Sequence, residues 1–500
     1  MKNKPKEIQD TLERFFHLQT FRPNQEEIIR AIVDGRDVLA VMATGGGKSL
    51  CYQLPAVMLD GLTIVISPLI ALMKDQVDSL SNQGVKVATL NSSLSYDQQK
   101  RVEADVLDGV IRILYVSPER AIQQDFIRLL QKCKVSLFAV DEAHCISMWG
   151  HQFRPEYRKI KNLRQNFPNT PFAAFTATAT KRVREDIIKE LMLKDPAVFI
   201  GSFNRPNLHY SVHKEPRQEI RFQKIASYIL AHPGKPGIIY CFSRADTENL
   251  ADFLSGLHIA AAPYHAGMSP KERASIQDLF QKNEITVITA TIAFGMGIDK
   301  PDVRYVIHAH LPKDIESYYQ ETGRAGRDGL PSDCILYYSA GDKAKMLRMM
   351  EKDGEENLSK KADRLLQLYQ YCESKNCRRK TLLSYFDEEI EPCGNCDACE
   401  QAKKRKKQGI RDNLLPAELE NEILFAAGEI EGMLTIPEFA SFLMGMDRLK
   451  TKTLNLNHHR CYGVAKYYQR SAVINTLEEL IEKGKLRTAG STIKKVYTGK

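Results

Sequence analysis

Two sets of short, apolar, β-branched runs alternate with longer amphipathic stretches from Asp37 to about Ser339, and this alternation constrains the fold more than any other feature. The first set covers residues 38–42, 63–67, 113–116, 137–140 and 172–175. The second covers 237–242, 285–289, 305–308 and 335–338. Near-continuous apolar strands separated by helices read as parallel sheets covered on both faces. Two sets in tandem predict an α/β protein with two parallel-sheet domains, over residues 1–206 and 207–340, divided in the turn-rich segment 201–207. The strand signal then stops. Residues 341–408 read as a helical subdomain with a cysteine cluster and a basic run, 403–407, taken as a solvated linker. Residues 409–500 read as a small unit with a helix over 471–483, stopped by Gly484, and a hairpin of 485–488 with 492–497 through 489–491. At 500 residues the chain is too long for one core, in keeping with this division.

Between the first run and the helical stretch after it lies Ala43-Thr44-Gly45-Gly46-Gly47-Lys48-Ser49. Glycines let backbone N–H groups wrap an anion without Cβ clashes, and the helix N-terminus adds its dipole. Thr44, Gly45, Gly46 and Gly47 are then expected to cradle phosphates, Lys48 to reach the β/γ-phosphates, and the Ser49 hydroxyl to take Mg²⁺. Met42 stands where the strict motif has glycine, so the strand–loop–helix context carries the reading against a merely Gly-rich turn. The run 137–140 strengthens it, because it leads into Asp141-Glu142-Ala143-His144. A carboxylate at the C-terminal edge of a parallel strand is placed to hold the nucleotide's Mg²⁺, the role expected of Asp141. Glu142 is placed to orient and deprotonate the attacking water. In the second domain the segment from Gln320 to Gly329 sets Arg324 and Arg327 three apart between glycines. That domain has no phosphate loop, so its arginines are expected to serve a neighbour's γ-phosphate and make hydrolysis depend on closure.

This ordered set resembles superfamily 2 helicases, and over about residues 15–400 it is similar to the RecQ family. Phe21-Arg22-Pro23-Asn24-Gln25 resembles the adenine-reading segment, with the Gln25 amide suited to N6 and N7 of the base. Residues 67–76, 117–120, 176–178, 290–299 and 320–327 resemble further helicase motifs in their usual order. Residues 145–157 resemble the aromatic-rich loop that couples DNA binding to hydrolysis. Trp149, the only tryptophan, and Phe153 are otherwise core aromatics, but here they alternate with glycine, histidine and Arg154 beyond the catalytic carboxylates. The resemblance implies two tandem RecA-like domains, a helical zinc-binding subdomain and a small winged-helix-like domain. It implies an ATP-dependent DNA helicase using ATP, Mg²⁺ and Zn²⁺, with Gln320 at the nucleotide and His144, Trp149, Phe153, Arg154, Thr176 and Thr178 coupling DNA to hydrolysis. Movement 3′ to 5′ on single-stranded DNA, opening of tailed duplexes in repair, recombination and replication, a single-stranded-DNA-binding protein as partner and a monomeric state also follow from the resemblance alone. So does a short form without the extra C-terminal helical DNA-binding domain.

Of eleven cysteines, Cys393, Cys396 and Cys399 follow CxxCxxC spacing. Cys377, sixteen residues upstream, completes a four-thiolate zinc set, with Cys372 as a rival and an iron–sulfur cluster as the alternative. The remaining cysteines are scattered, no apolar run spans a membrane and the first ten residues lack a signal-peptide core, so a cytoplasmic protein is expected, nucleoid-associated if bacterial. The net charge of +9 agrees with a polyanionic partner without requiring one. Tyr462 to Lys466 and Arg470 are candidate phosphate contacts in the tail, which also reads as a packing or partner-binding module. An RNA-remodelling ATPase of the DEAD-box type and a non-catalytic scaffold are the competing functions. DEAH in place of DEAD and the cysteine cluster disfavour the first; the intact motifs disfavour the second.

Overall fold

The computed structural model describes residues 4–68, 70–91, 94–148, 153–292, 294, 300–352, 358–407, 414–489 and 495–498. Trp149, most of the 290–299 segment and the hairpin turn at 490–491 lie outside the described residues. The chain divides into two compact units, Met1–Cys399 and Glu400–Lys500.

In the first unit, seven described strands form one sheet: β1 (Val38–Val41), β2 (Leu62–Ile66), β3 (Val87–Leu90), β4 (Ile113–Val116), β5 (Val135–Val140), β6 (Phe172–Thr176) and β7 (Ala197–Ile200). Their order is β3-β4-β2-β5-β6-β1-β7, with every pairing parallel. The second sheet holds β8 (Leu208–Lys214), β9 (Gly237–Tyr240), β10 (Ala261–Tyr264), β11 (Val287–Ala290), β12 (Tyr305–His308) and β13 (Ser332–Tyr338). Its order is β10-β11-β9-β12-β13-β8, again parallel throughout. Helices lie between most successive strands, and several start at serine capping boxes, those of Ser95, Ser243 and Ser269, which satisfy the first free N–H groups.

All nine expected runs fall on strands, but β3, β7, β8 and β10 were not expected. These four are the edges of the two sheets. An edge strand has a neighbour on one side only, so its burial alternates or fades, as in β7, β8 and β10. The interior strands β1, β2, β4, β6, β9, β11 and β12 are buried along their whole length. A search for continuous apolar runs finds the second kind and passes over the first.

Helices over Ala340–Lys352, Leu358–Glu373 and Arg378–Ser384 follow the second sheet. The basic run 403–407 is not an irregular linker: it is the end of a helix, Asp397–Lys407. The second unit has its own core, in which Ile423, Phe439, Phe442, Val473, Leu477, Leu486 and Val496 meet. It contains helices Glu420–Glu429, Ile436–Leu443 and Arg470–Glu482 and the antiparallel pair β14 (Leu486–Ala489) and β15 (Lys495–Thr498). Among the described residues no helix is long and apolar enough to cross a membrane.

Candidate active site

Strands β5, β6 and β1 are neighbours, so the segments leaving their C-terminal ends emerge side by side. Val41 pairs with Thr176, and the Met42 N–H donates to the Thr176 carbonyl at 3.0 Å. Asp141 follows β5 directly. The phosphate loop, the Thr176–Thr178 turn and the two carboxylates therefore share the edge at which parallel α/β sheets bind ligands.

The loop between β1 and the helix Lys48–Met58 has Gly45 and Gly47 at φ +81° and +79°. A Cβ at Gly47 would lie 2.3 Å from Gln25 Nε2, so only glycine lets Gln25 approach. Gln25 Nε2 donates to the Gly47 carbonyl at 3.0 Å, while its Oε1 accepts from the Arg22 N–H at 2.8 Å. In this structure the amide expected to read adenine is turned onto the phosphate loop and is almost fully buried. Arg22, whose own role was not anticipated, donates from Nη1 to the Gly45 carbonyl.

A cleft of about 420 Å³ collects the predicted residues from both lobes. Thr44, Gly45, Gly47, Lys48, Ser49, Asp141 and Glu142 line it from the first lobe; Gln320, Arg324 and Arg327 line it from the second. Gln320 lies in the last turn of a helix over Ile315–Thr322, and the two arginines follow in the loop after it. Lys48 Nζ lies 3.3 Å from the Met42 carbonyl, held back over the loop. Glu142 is a non-glycine at φ +48°, a strained backbone of about 1–3 kcal/mol that aims its carboxylate beside that of Asp141. Burial, then the adjacent Glu142, raises the Asp141 pKa to about 7, with Lys48 opposing. Crowded carboxylates in a buried site fit a divalent cation, which would remove that repulsion. Buried Thr44 Oγ1 and Arg324 Nε have no hydrogen-bond partner among the described residues. With Lys48 and Arg327 they fit a polyphosphate.

Behind the carboxylates, His144 is fully buried, with Nδ1 2.8 Å from Thr176 Oγ1 and 3.3 Å from a Glu142 oxygen. Thr176 Oγ1 also donates to the Thr178 carbonyl at 3.2 Å. Thus three of the expected coupling residues form one chain ending at Glu142. Tyr157, the last residue of the aromatic-rich segment and given no role of its own there, donates to the Asp141 carbonyl at 3.0 Å. Arg154 Nη1 donates to the Pro68 carbonyl at 3.2 Å, tying the aromatic-rich segment to the segment after β2. Phe153 is exposed, with the Arg158 guanidinium 5.3 Å from its ring centre.

The thiols of Cys377, Cys393, Cys396 and Cys399 all lie within 4.8 Å of one another, and Cys372 is not part of the group. Cys377 caps the helix Arg378–Ser384. Burial acts to raise its pKa, but N–H groups of Cys393 and Lys380 donating to its Sγ outweigh that and bring it to about 7. Four sulfurs at this separation fit the tetrahedral closed site of a structural zinc. In the tail, Arg470 is tied to the helix Ile436–Leu443: Nη1 donates to Ser441 Oγ and Nη2 to the Pro437 carbonyl, each at 2.9 Å.

Residues 22–187 match the family described as DEAD/DEAH box helicase, 220–329 the helicase conserved C-terminal domain, and 340–400 the RecQ zinc-binding domain. The chain is 42% identical to the ATP-dependent DNA helicase RecQ of Pasteurella multocida over 477 residues, 95% of this chain and 74% of that protein. The chain belongs to the RecQ family. The RecQ of Bacillus subtilis is 37% identical over 494 residues, 98% of this chain and 82% of that protein. The cysteine set is accordingly the RecQ zinc site, which excludes the iron–sulfur alternative. Among solved structures, the DEAD-box helicase Mss116 bound to single-stranded RNA superposes with a TM-score of 0.58 at 16% identity, covering 81% of this chain and 93% of that one. That likeness shows the fold alone. As a RecQ-type enzyme, the protein is an ATP-hydrolysing DNA helicase.

Proposed function

We propose that the interlobe cleft is where ATP is hydrolysed, and that each turnover advances the protein 3′ to 5′ along single-stranded DNA. The observation that carries this reading is the meeting of Lys48, Ser49, Asp141 and Glu142 from one lobe with Gln320, Arg324 and Arg327 from the other around one cavity. Lys48 binds the β/γ-phosphates, and Ser49 and Asp141 are the residues that would hold Mg²⁺. When bound, the cation would neutralise charge between the β- and γ-phosphate oxygens. Glu142 orients the attacking water and takes its proton. Arg324 and Arg327 meet the charge that develops on the γ-phosphoryl, an effect on the order of 10³–10⁵ in rate for an arginine finger. The His144–Thr176 contact would carry the state of bound DNA to this chemistry, with Phe153, Arg154 and Trp149 as the residues expected to contact unpaired bases. Such stacking tolerates any sequence. The second unit we read as a winged helix whose hairpin acts at the strand junction. A monomer, partnered by a single-stranded-DNA-binding protein, is the assembly we favour from family resemblance.

The test is ATP-dependent strand separation on duplexes carrying a 3′ or a 5′ single-stranded tail. Opening of the 3′-tailed duplex alone is expected. Lys48→Ala should abolish hydrolysis and opening while binding single-stranded DNA as before; loss of both would count against the assigned role. DNA-stimulated hydrolysis without strand separation would identify a translocase and overturn the role given to the tail.

A further inference from the structure

The segment 201–207 joins β7 to β8 and so connects the two lobes covalently. Arg205 within it touches both sides of the cleft. Its Nη1 donates to the Thr44 carbonyl at 3.0 Å and to the Gly323 carbonyl at 3.2 Å. Its Nη2 donates to the carbonyls of Ala325 and Gly326 at 2.9 and 2.7 Å. The first acceptor belongs to the phosphate loop. The other three belong to the loop that carries Arg324 and Arg327. All four acceptors are neutral carbonyls, so none of these contacts is an ion pair.

The same linker seats that loop in two further ways. Asn207 Nδ2 donates to the carbonyls of Gly326 and Leu330, both at 2.9 Å. Tyr319, on the helix before the loop, donates its hydroxyl to the Phe203 carbonyl at 2.9 Å. Gly326 is at φ +54°, and a Cβ there would lie 2.5 Å from Asn207 Nδ2. The loop is therefore folded tightly against the linker; Gly323 and Arg327 also pack directly on Thr44 and Gly45, and the Arg205 guanidinium adds a hydrogen-bonded tie between the two loops. Arginine suits the task because its planar fork reaches separate acceptors at fixed angles, whereas a lysine ammonium is a single point of donation.

We propose that Arg205 is a positioning residue for hydrolysis: it fixes the distance between the phosphate loop and the arginine-bearing loop, and thereby where Arg324 and Arg327 meet the γ-phosphate. The proposal rests on the reading of those two arginines given above. It requires the cost of removing Arg205 to appear in turnover, through Arg324, and not in nucleotide binding.

The experiment compares R205A, R205K, R324A and R205A/R324A in single-turnover ATP hydrolysis at saturating single-stranded DNA. Binding of a fluorescent ATP analogue and thermal unfolding are measured on the same proteins. R205A and R205K should each slow hydrolysis by about 10- to 100-fold, the size of effect that a misplacement near 1 Å produces. Analogue affinity should stay close to wild type, and R205A should cost little when added to R324A, since groups acting through one another are not additive. R205K keeps the charge, so its defect isolates the fork geometry, and an unfolding midpoint like wild type excludes general destabilisation. A wild-type rate for R205A and R205K beside a defective R324A overturns the positioning role alone. Losses that multiply in the double variant, or a loss of analogue binding as large as the loss of rate, overturn it as well. A wild-type rate for R324A overturns the reading of the arginine loop itself and this proposal with it.

Discussion

His310, just beyond β12, is almost fully buried, and its pKa is pushed down to about 4. Burial is the main cause; Arg221 and Lys345 add to it, while Asp246 and Asp342 oppose it. In the unfolded chain a histidine titrates near 6.5, so between about pH 6.5 and 4 the unfolded state holds a proton that the native state refuses. Stability therefore falls as the pH drops through that window and is insensitive to this group above it. At pH 5 the loss is on the order of 2 kcal/mol. His310→Gln should lose less of its urea midpoint than wild type on going from about pH 7.5 to 5. Equal losses in the two proteins would place the acid sensitivity elsewhere. No sequence pattern announces such a residue, because the effect comes from what packs around it. Lys48, Asp141 and Glu142 are legible for the opposite reason: their chemistry depends on the strand just before them. Gln25 was legible as a site residue, but the turn of its amide onto Gly47 depends on a backbone approach across more than twenty residues.

At the scale of elements, the cysteine cluster does more than close a knuckle. Cys396 bridges Tyr210 of β8, Asp397 accepts from the Val212 N–H in β8 at 3.1 Å, and the Arg378 side chain pairs with Asp397 at 2.9 Å. The metal-binding segment thus holds the edge strand that continues from the interlobe linker. Metal binding by such a set is itself folding free energy. We expect one zinc per chain by elemental analysis, and a colourless protein. Cys396→Ser, or chelation of wild type, should lower the unfolding midpoint by at least about 4 °C, a shift worth roughly 1–2 kcal/mol for a cooperative unit of about 150–250 residues. Unchanged stability of the metal-free protein would rule out the structural role. The cluster was legible because spacing alone defines a ligand set, whereas its attachment to β8 was not, β8 being an edge strand without a continuous apolar run. In the tail, the helix over Arg470–Glu482 showed its apolar spacing, whereas Ile436–Leu443, only eight residues long, is too short a window for a period to be read.

Across the first unit as a whole, one cavity is completed only by both lobes, and the chain from Thr176 through His144 to Glu142 runs from the first lobe's sheet edge into that cavity. If single-stranded DNA crosses both lobes, nucleotide and DNA favour the same closed arrangement. Thermodynamic linkage then fixes a quantitative relation: the factor by which a non-hydrolysable ATP analogue tightens DNA binding must equal the factor by which DNA tightens binding of the analogue. Coupling of this kind typically amounts to about 5- to 150-fold. Fluorescence anisotropy of a labelled single strand, titrated at several analogue concentrations and then in the reverse order, measures both factors. His144→Ala should bring the factor toward one while leaving each ligand's affinity alone nearly unchanged, because His144 touches Thr176 and Glu142 and lies behind the cavity wall. A wild-type protein in which neither ligand alters the other's affinity would mean that DNA stimulates hydrolysis by some route other than lobe closure. A full coupling factor in His144→Ala would move the route away from the Thr176–Glu142 chain and onto the aromatic-rich segment.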